Sequence, residues 1–209
     1  MRAAESPGRS LRRPSVWLEW GLGLVGIVLL SLWVREYDQA RAFRLVETKK
    51  LEAARESAGL AGGGAAIGKR SPPAMLEGGV LGRIEIPRLG ISALIAEGTG
   101  SEELDKAIGH IASSAFPGEK GNCALAGHRD SFLRGLGQVR KKDLIRIDTP
   151  RDSYTYQVEW GSVVDPGNVK VLDDTREPSL TLVTCYPFQV IGPAPERFVV
   201  RARLVEATD

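Results

Sequence analysis

Residues 16–34 read VWLEWGLGLVGIVLLSLWV, nineteen positions with a single charge, Glu19, near their start. As a helix this run is about the length that crosses a hydrocarbon core of roughly 30 Å. It therefore divides the chain into a short leader and a long remainder that must fold separately. Trp17 and Trp20 near one end and Trp33 at the other suit the two interfacial belts of a bilayer. Arg2, Arg9, Arg12 and Arg13 precede the run, which by the positive-inside rule keeps residues 1–15 cytoplasmic and puts everything after residue 34 outside the cytoplasm. A buried core helix is one alternative, which the flanking arginines disfavour; a cleaved signal peptide is the other, and Ala40-Arg41-Ala42 supplies a crude small-x-small site for it. The run exceeds the roughly 7–15 residues of a signal core and meets charged Arg35-Glu36 at once, so the expectation is an uncleaved, single-pass anchor in the cell membrane.

Residues 35–58, REYDQARAFRLVETKKLEAARESA, are charged and rich in helix formers, which predicts a solvated helical stalk. Residues 58–75, AGLAGGGAAIGKRSPPAM, have the Gly/Ala content and proline pair of a flexible tether. Stalk and linker together occupy residues 35–78, and residues 79–209 form one domain large enough for its own core. Charge divides at the same place. Lys and Arg outnumber Asp and Glu by 12 to 8 up to residue 78, and are outnumbered 16 to 18 beyond it. The domain has no basic stripe with interleaved aromatics, which excludes nucleic acid as a partner class.

Within the domain, short apolar alternations recur between turn residues. GRIEIP and ISALIAEG flank a Pro-Arg-Leu-Gly turn, and DLIRID precedes SYTYQVEW, where Tyr154, Tyr156, Val158 and Trp160 share one face. LTLVTC and RFVVRARL close the series, with Phe198, Val200, Ala202 and Leu204 on one face of the last strand and Arg197, Val199, Arg201 and Arg203 on the other. A short helix is expected near Thr99 or Ser101, with Thr99-x-x-Glu102 as its capping box. About eight strands with one or two small helices define an all-β domain, a barrel or a sandwich.

Two cysteines, Cys123 and Cys185, and two histidines, His110 and His128, are the scarce reactive types. A thiol attacks well only as a thiolate, which needs a neighbouring base or positive charge. His128 follows the apolar run 123–126 at a strand end, and Cys185 ends LTLVTC in the same way. If those strands are parallel neighbours, both side chains leave one edge of the sheet. Arg197 opens the next strand, twelve residues after Cys185, where a guanidinium can donate to an oxyanion. Without that pairing, Cys185 is a small core residue and Arg197 an ordinary strand arginine.

PGEKGNCALAGHRDSF, LTLVTCYP and PERFVVRARL, in this order behind an N-terminal anchor, resemble the sortases, membrane-bound cysteine transpeptidases of bacteria. The resemblance runs from about Gly82 to Leu204 and is closer to class D members than to others. It implies an eight-stranded β-barrel that cleaves a Leu-Pro-x-Thr-Gly-like sorting signal at the C-terminus of protein substrates. The acyl group would pass to an amine on a cell-wall precursor or a pilin. By the same resemblance Cys185 is the nucleophile, His128 its acid and base, and Arg197 the oxyanion donor, with no cofactor and no metal. His110 lies outside these positions and reads as structural.

Cys123 stands five residues before His128, about 16 Å along an extended strand. A disulfide needs Cα atoms within about 7 Å, so if Cys185 meets His128 it cannot also meet Cys123, and both thiols are then expected to stay reduced. Glu102, Glu103 and Asp105 suit the start of a helix dipole and need no metal. Residues 163–174 are the expected wall of a Leu-Pro pocket. An L,D-transpeptidase would place His-Gly directly before its cysteine, where this chain has Val183-Thr184. A non-enzymatic, membrane-tethered β-domain that binds a surface partner is the remaining alternative.

Overall fold

The computed structural model describes residues 16–60, 79–190 and 192–208. The flexible tether expected at residues 58–75 lies almost wholly outside them. Eight strands follow the alternation read from the sequence: β1 (Val80–Ile86), β2 (Ile91–Glu97), β3 (Ile108–His110), β4 (Asn122–Gly127), β5 (Leu144–Asp148), β6 (Ser153–Val164), β7 (Ser179–Tyr186) and β8 (Glu196–Thr208). They close into a barrel in the order β1-β2-β3-β4-β7-β8-β6-β5, sealed by pairing of β5 with β1. Closure removes the free strand edges that a sandwich would have to protect.

Alternation decides which side chains fill the barrel. Ile84 and Ile86, Ile145 and Ile147, Tyr154 and Tyr156, Leu180 and Leu182, and Val200 and Ala202 all face one continuous core. Trp160 breaks the expected sequence and is 40% exposed. The cause is a bulge between Val158 and Trp160, which inserts one extra residue against β8 and reverses the face of everything beyond it. Trp160 then lies outside the barrel, with the Arg201 guanidinium 6.0 Å from its ring centre.

Among the described residues there are two α-helices, α1 (Val16–Leu60) and the short α2 (Ser101–Lys106). The expected capping box is absent. Gly100 is the N-cap of α2 and no side chain caps it, so Thr99 lies one residue too early.

The chain forms two compact units, Met1–Arg41 and Ala42–Asp209. In the first, α1 presents exposed apolar side chains, including Trp20, Leu24, Ile27, Leu30 and Trp33. Among the described residues no helix is long and apolar enough to cross a membrane. The side chains of residues 16–19, which begin the apolar run, lie outside that set.

In the second unit, the end of α1 is less solvated than its composition predicts. Leu51 is buried with Val80, Leu94, Ala96 and Ala107, and Phe43 packs on the same cluster. Polar contacts add to this. Arg55 pairs with Asp148 at 2.8 Å and donates to Ser153 Oγ at 2.9 Å, and Arg83 donates to Thr48 Oγ1 at 2.7 Å. Burial opposes ionisation of Asp148, but hydrogen bonds from Ser153, Arg55 and Arg146 outweigh it and hold its carboxyl below the usual range.

Candidate active site

Three neighbouring strands, β4, β7 and β8, carry the sequence candidates to one edge of the barrel. β4 and β7 run parallel with Gly127 opposite Thr184. His128 is the next residue beyond β4, and Cys185 the next along β7, so the two leave the sheet at the same level on adjacent strands. Neighbouring strands lie about 4.8 Å apart. β8 returns antiparallel with Arg197 directly opposite Cys185. The register therefore brings together all three residues singled out in the sequence.

Alternation also sets their faces. Leu180 and Leu182 point into the core, and Thr184 is buried on the same side. Cys185 therefore projects outward from the barrel wall and is partly exposed. Beneath it, Tyr186, Phe188 and Phe198 close the barrel end, with Phe188 edge-on to Tyr186 at 5.8 Å and to Phe198 at 5.5 Å. A cis Tyr186–Pro187 peptide bond follows the strand.

Two features fix the distance between the strand ends. The Thr184 hydroxyl donates to the Gly127 carbonyl at 2.7 Å in a buried position. A Cβ at Gly127 would stand 2.9 Å from Leu133 Cδ1, so the leucine would have to shift to admit one. Leu133 is fully buried, and its N–H donates to the His128 carbonyl at 3.4 Å, so the turn after His128 is pinned to the core. The glycine before the histidine thus has a packing reason.

The His128 side chain is 40% exposed, and its Nε2 lies 3.6 Å from Asp105 Oδ1 on α2. Arg197 donates through Nη1 to the carbonyls of Ala194 at 3.1 Å and Glu196 at 3.0 Å, which folds its guanidinium against the β7–β8 connection. Nothing in the sequence pointed to Asp105 as a neighbour of His128, since pairing between a short helix and a strand end has no local signature. Thr184 does carry a sequence signal: a hydroxyl on the inward face of a buried strand needs an acceptor.

The remaining sequence candidates separate from this edge. Cys123 lies opposite Leu180, far down the same strand pair, and both thiols are free. Cys123 is 1% exposed, and burial raises its thiol pKa far above the ordinary range. His110 is fully buried, with its ring nitrogens facing Glu97 Oε2 at 2.7 Å and the Ala115 carbonyl at 3.1 Å and its ring stacked on Phe116. It is a core histidine. Among the described residues no three His, Cys, Asp or Glu side chains converge as a metal set would.

Residues 163–174 border the thiol over only part of their length. β6 ends at Val164 opposite Arg197, so the segment starts at the candidate edge. It then descends the barrel to Val171, whose carbonyl accepts from Asn122 Nδ2 at 3.3 Å and Arg201 Nη2 at 2.7 Å. Asn122 pairs with Ser179 at the opposite end of β7, about 20 Å from Cys185. Only the first residues of the segment stand close enough to wall a pocket at the thiol.

A closed eight-stranded barrel with a cysteine, a histidine and an arginine on three adjacent strand ends defines a class, and comparison with known proteins agrees. The sortase domain family model matches residues 84–205, more than half of the chain, and the chain belongs to that family. Sortase D of Bacillus subtilis (strain 168) is 34% identical over 125 residues, covering 59% of this chain and 63% of that protein. Sortase A of Listeria monocytogenes is 33% identical over 110 residues, covering 51% of this chain and 49% of its own length. The chain thus spans less than two thirds of these curated relatives. Among solved structures, a Clostridium perfringens Sortase D5 transpeptidase superposes with a TM-score of 0.57 at 31% identity, covering 63% of this chain and 82% of that one. The similarity to class D members read from the motifs agrees with the B. subtilis and C. perfringens relatives.

Proposed function

We propose that this chain is a cysteine transpeptidase that cleaves a Leu-Pro-x-Thr-Gly-like sorting signal and transfers the acyl fragment to an amine. The observation that carries this reading is the register: Cys185 opposite Arg197, with His128 one step beyond the Gly127 that pairs with Thr184. The thiolate of Cys185 attacks the threonine carbonyl, and the C–O π pair moves onto oxygen. Arg197, across the ladder, supplies a cationic donor to that oxyanion. Protonated His128 gives its proton to the departing amine as the C–N bond breaks, leaving a thioester on Cys185. An incoming amine, from a cell-wall precursor or a pilin, loses its proton to His128 and displaces the thiolate. With water in its place the product is a free acid. The thiol, imidazole and guanidinium account for every bond and proton in this cycle without a cofactor.

In the same reading residues 16–34 anchor the protein in the membrane as a single pass, with the domain outside the cytoplasm. The exposed apolar row from Trp20 to Trp33 supports this, because water-facing side chains of that kind need a covering phase. Residues 35–78 would serve as stalk and linker, with the flexible tether at residues 58–75.

Incubating the protein with Leu-Pro-x-Thr-Gly peptides and triglycine, and following products by mass, tests the reading. Cleavage between Thr and Gly is expected, abolished in Cys185→Ala and reduced at least about a hundredfold in His128→Ala and Arg197→Ala. A tethered binding domain with an inert thiol would give no cleavage product with any peptide.

A further inference from the structure

The arginine after His128 forms a bridge that the chemistry above does not use. Arg129 donates through Nη1 to the Pro187 carbonyl at 2.8 Å and through Nη2 to the Gly192 carbonyl at 2.6 Å. These carbonyls belong to the connection between β7 and β8, one at its start and one just past its middle, and the connection begins two residues after Cys185. One guanidinium thus joins the segment carrying His128 to the chain leaving Cys185 and to the chain returning toward Arg197. The planar fork of arginine supplies two separated donors in a fixed geometry, which an ammonium cannot reproduce.

The position of this bridge matters for what reaches the thiol. β4 and β7 end at one edge, and both the turn after His128 and the β7–β8 connection lie beyond it. An amine that is to lose its proton to His128 and attack a thioester on Cys185 has to arrive at this edge, beside both segments. From inside, the Phe188 ring sets the connection's height by packing against Gly137, where a Cβ would come within 2.7 Å of that ring. From outside, Arg129 sets its distance from the histidine.

We propose that Arg129 is a positioning residue for the acceptor: by tying Pro187 and Gly192 to the His128 segment, it forms the wall against which an extended amine is held for attack. The proposal rests on the transpeptidase reading. A small nucleophile needs no such wall, whereas a peptide amine does. Arg129 therefore governs the choice among nucleophiles at the thioester more than formation of the thioester itself.

The test is a competition at the acyl-enzyme. Full-length protein in detergent is given a Leu-Pro-x-Thr-Gly peptide with either triglycine or hydroxylamine, and transfer is measured against hydrolysis. In Arg129→Ala the triglycine-to-water product ratio should fall about tenfold, while the hydroxylamine-to-water ratio stays within about threefold of the unsubstituted protein. Arg129→Lys should behave like Arg129→Ala, because one ammonium cannot hold both carbonyls. If Arg129→Ala fails to fold, as read by its thermal melt, the Lys variant decides. Unchanged ratios, an equal fall for both nucleophiles, or full rescue by Lys would each overturn the proposal while leaving the transpeptidase reading intact. No transfer or thioester with the unsubstituted protein would instead remove that reading.

Discussion

Replacing Thr184 with valine removes one hydroxyl and leaves the shape of the side chain nearly unchanged. That hydroxyl is buried and donates to the Gly127 carbonyl at 2.7 Å, joining the strand that ends in Cys185 to the strand that ends before His128. Valine puts a methyl group against the carbonyl, which loses that donor where water does not readily replace it. Losing a buried partner of this kind costs about 1–3 kcal/mol. For a unit of this size each kcal/mol lowers Tm by about 2–4 °C, so a loss near 2 kcal/mol gives a fall of roughly 4–8 °C. Function should suffer more than stability, because a displacement on the order of 1 Å between nucleophile and acid can cost about a hundredfold in rate. Thermal melts and peptide cleavage, run on Thr184→Val and Thr184→Ser side by side, separate the effects. Serine keeps the donor and should stay within about threefold of the unsubstituted rate. A valine variant as stable and as active as the unsubstituted protein would refute the claim that this hydrogen bond sets the spacing of the two strand ends.

Two further outcomes follow from burial and charge. A thiol-reactive probe applied to the folded protein should modify Cys185 and spare Cys123, whose burial keeps it protonated and out of reach, and modification of Cys123 at neutral pH would contradict the packing described. Asp148 has a depressed carboxyl pKa in the folded state, so its stabilising contribution is fully present above the unfolded value near pH 4 and is lost as pH falls through the lower folded value. Urea midpoints measured between about pH 3 and 7 should fall on the acid side, less steeply in Asp148→Asn, and an identical slope in the variant would show that the Arg55–Asp148 contact does not couple to folding.

Much of the barrel was legible because period-two alternation survives in LTLVTC and RFVVRARL, and because turn residues separate the strands. The positions of Cys185, His128 and Arg197 were legible for a related reason: each stands within one residue of a strand end, and strand ends meet at sheet edges. What escaped depends on single insertions or distant partners. The bulge beside Trp160 adds one residue to β6 without altering the local pattern, so the ring's outward turn has no sequence signal. Docking of the end of α1 uses few apolar anchors, chiefly Phe43 and Leu51, with one ion pair and one hydrogen bond from Arg55 to residues about a hundred positions away. A charged helix with two such anchors looks like a solvated stalk. Arg129 was visible only as the neighbour of a histidine, since its two acceptors are backbone carbonyls of a distant connection.

If Cys185 attacks a peptide carbonyl, the acyl-enzyme it forms can be trapped. The full-length protein is mixed with Leu-Pro-x-Thr-Gly peptides without an added amine, quenched in acid, and measured by intact mass and peptide mapping. A mass increase equal to the acyl fragment ending in threonine is expected, located on Cys185, removed by hydroxylamine and absent in Cys185→Ala. No adduct with any peptide, or an adduct on Cys123 instead, would contradict attack by Cys185.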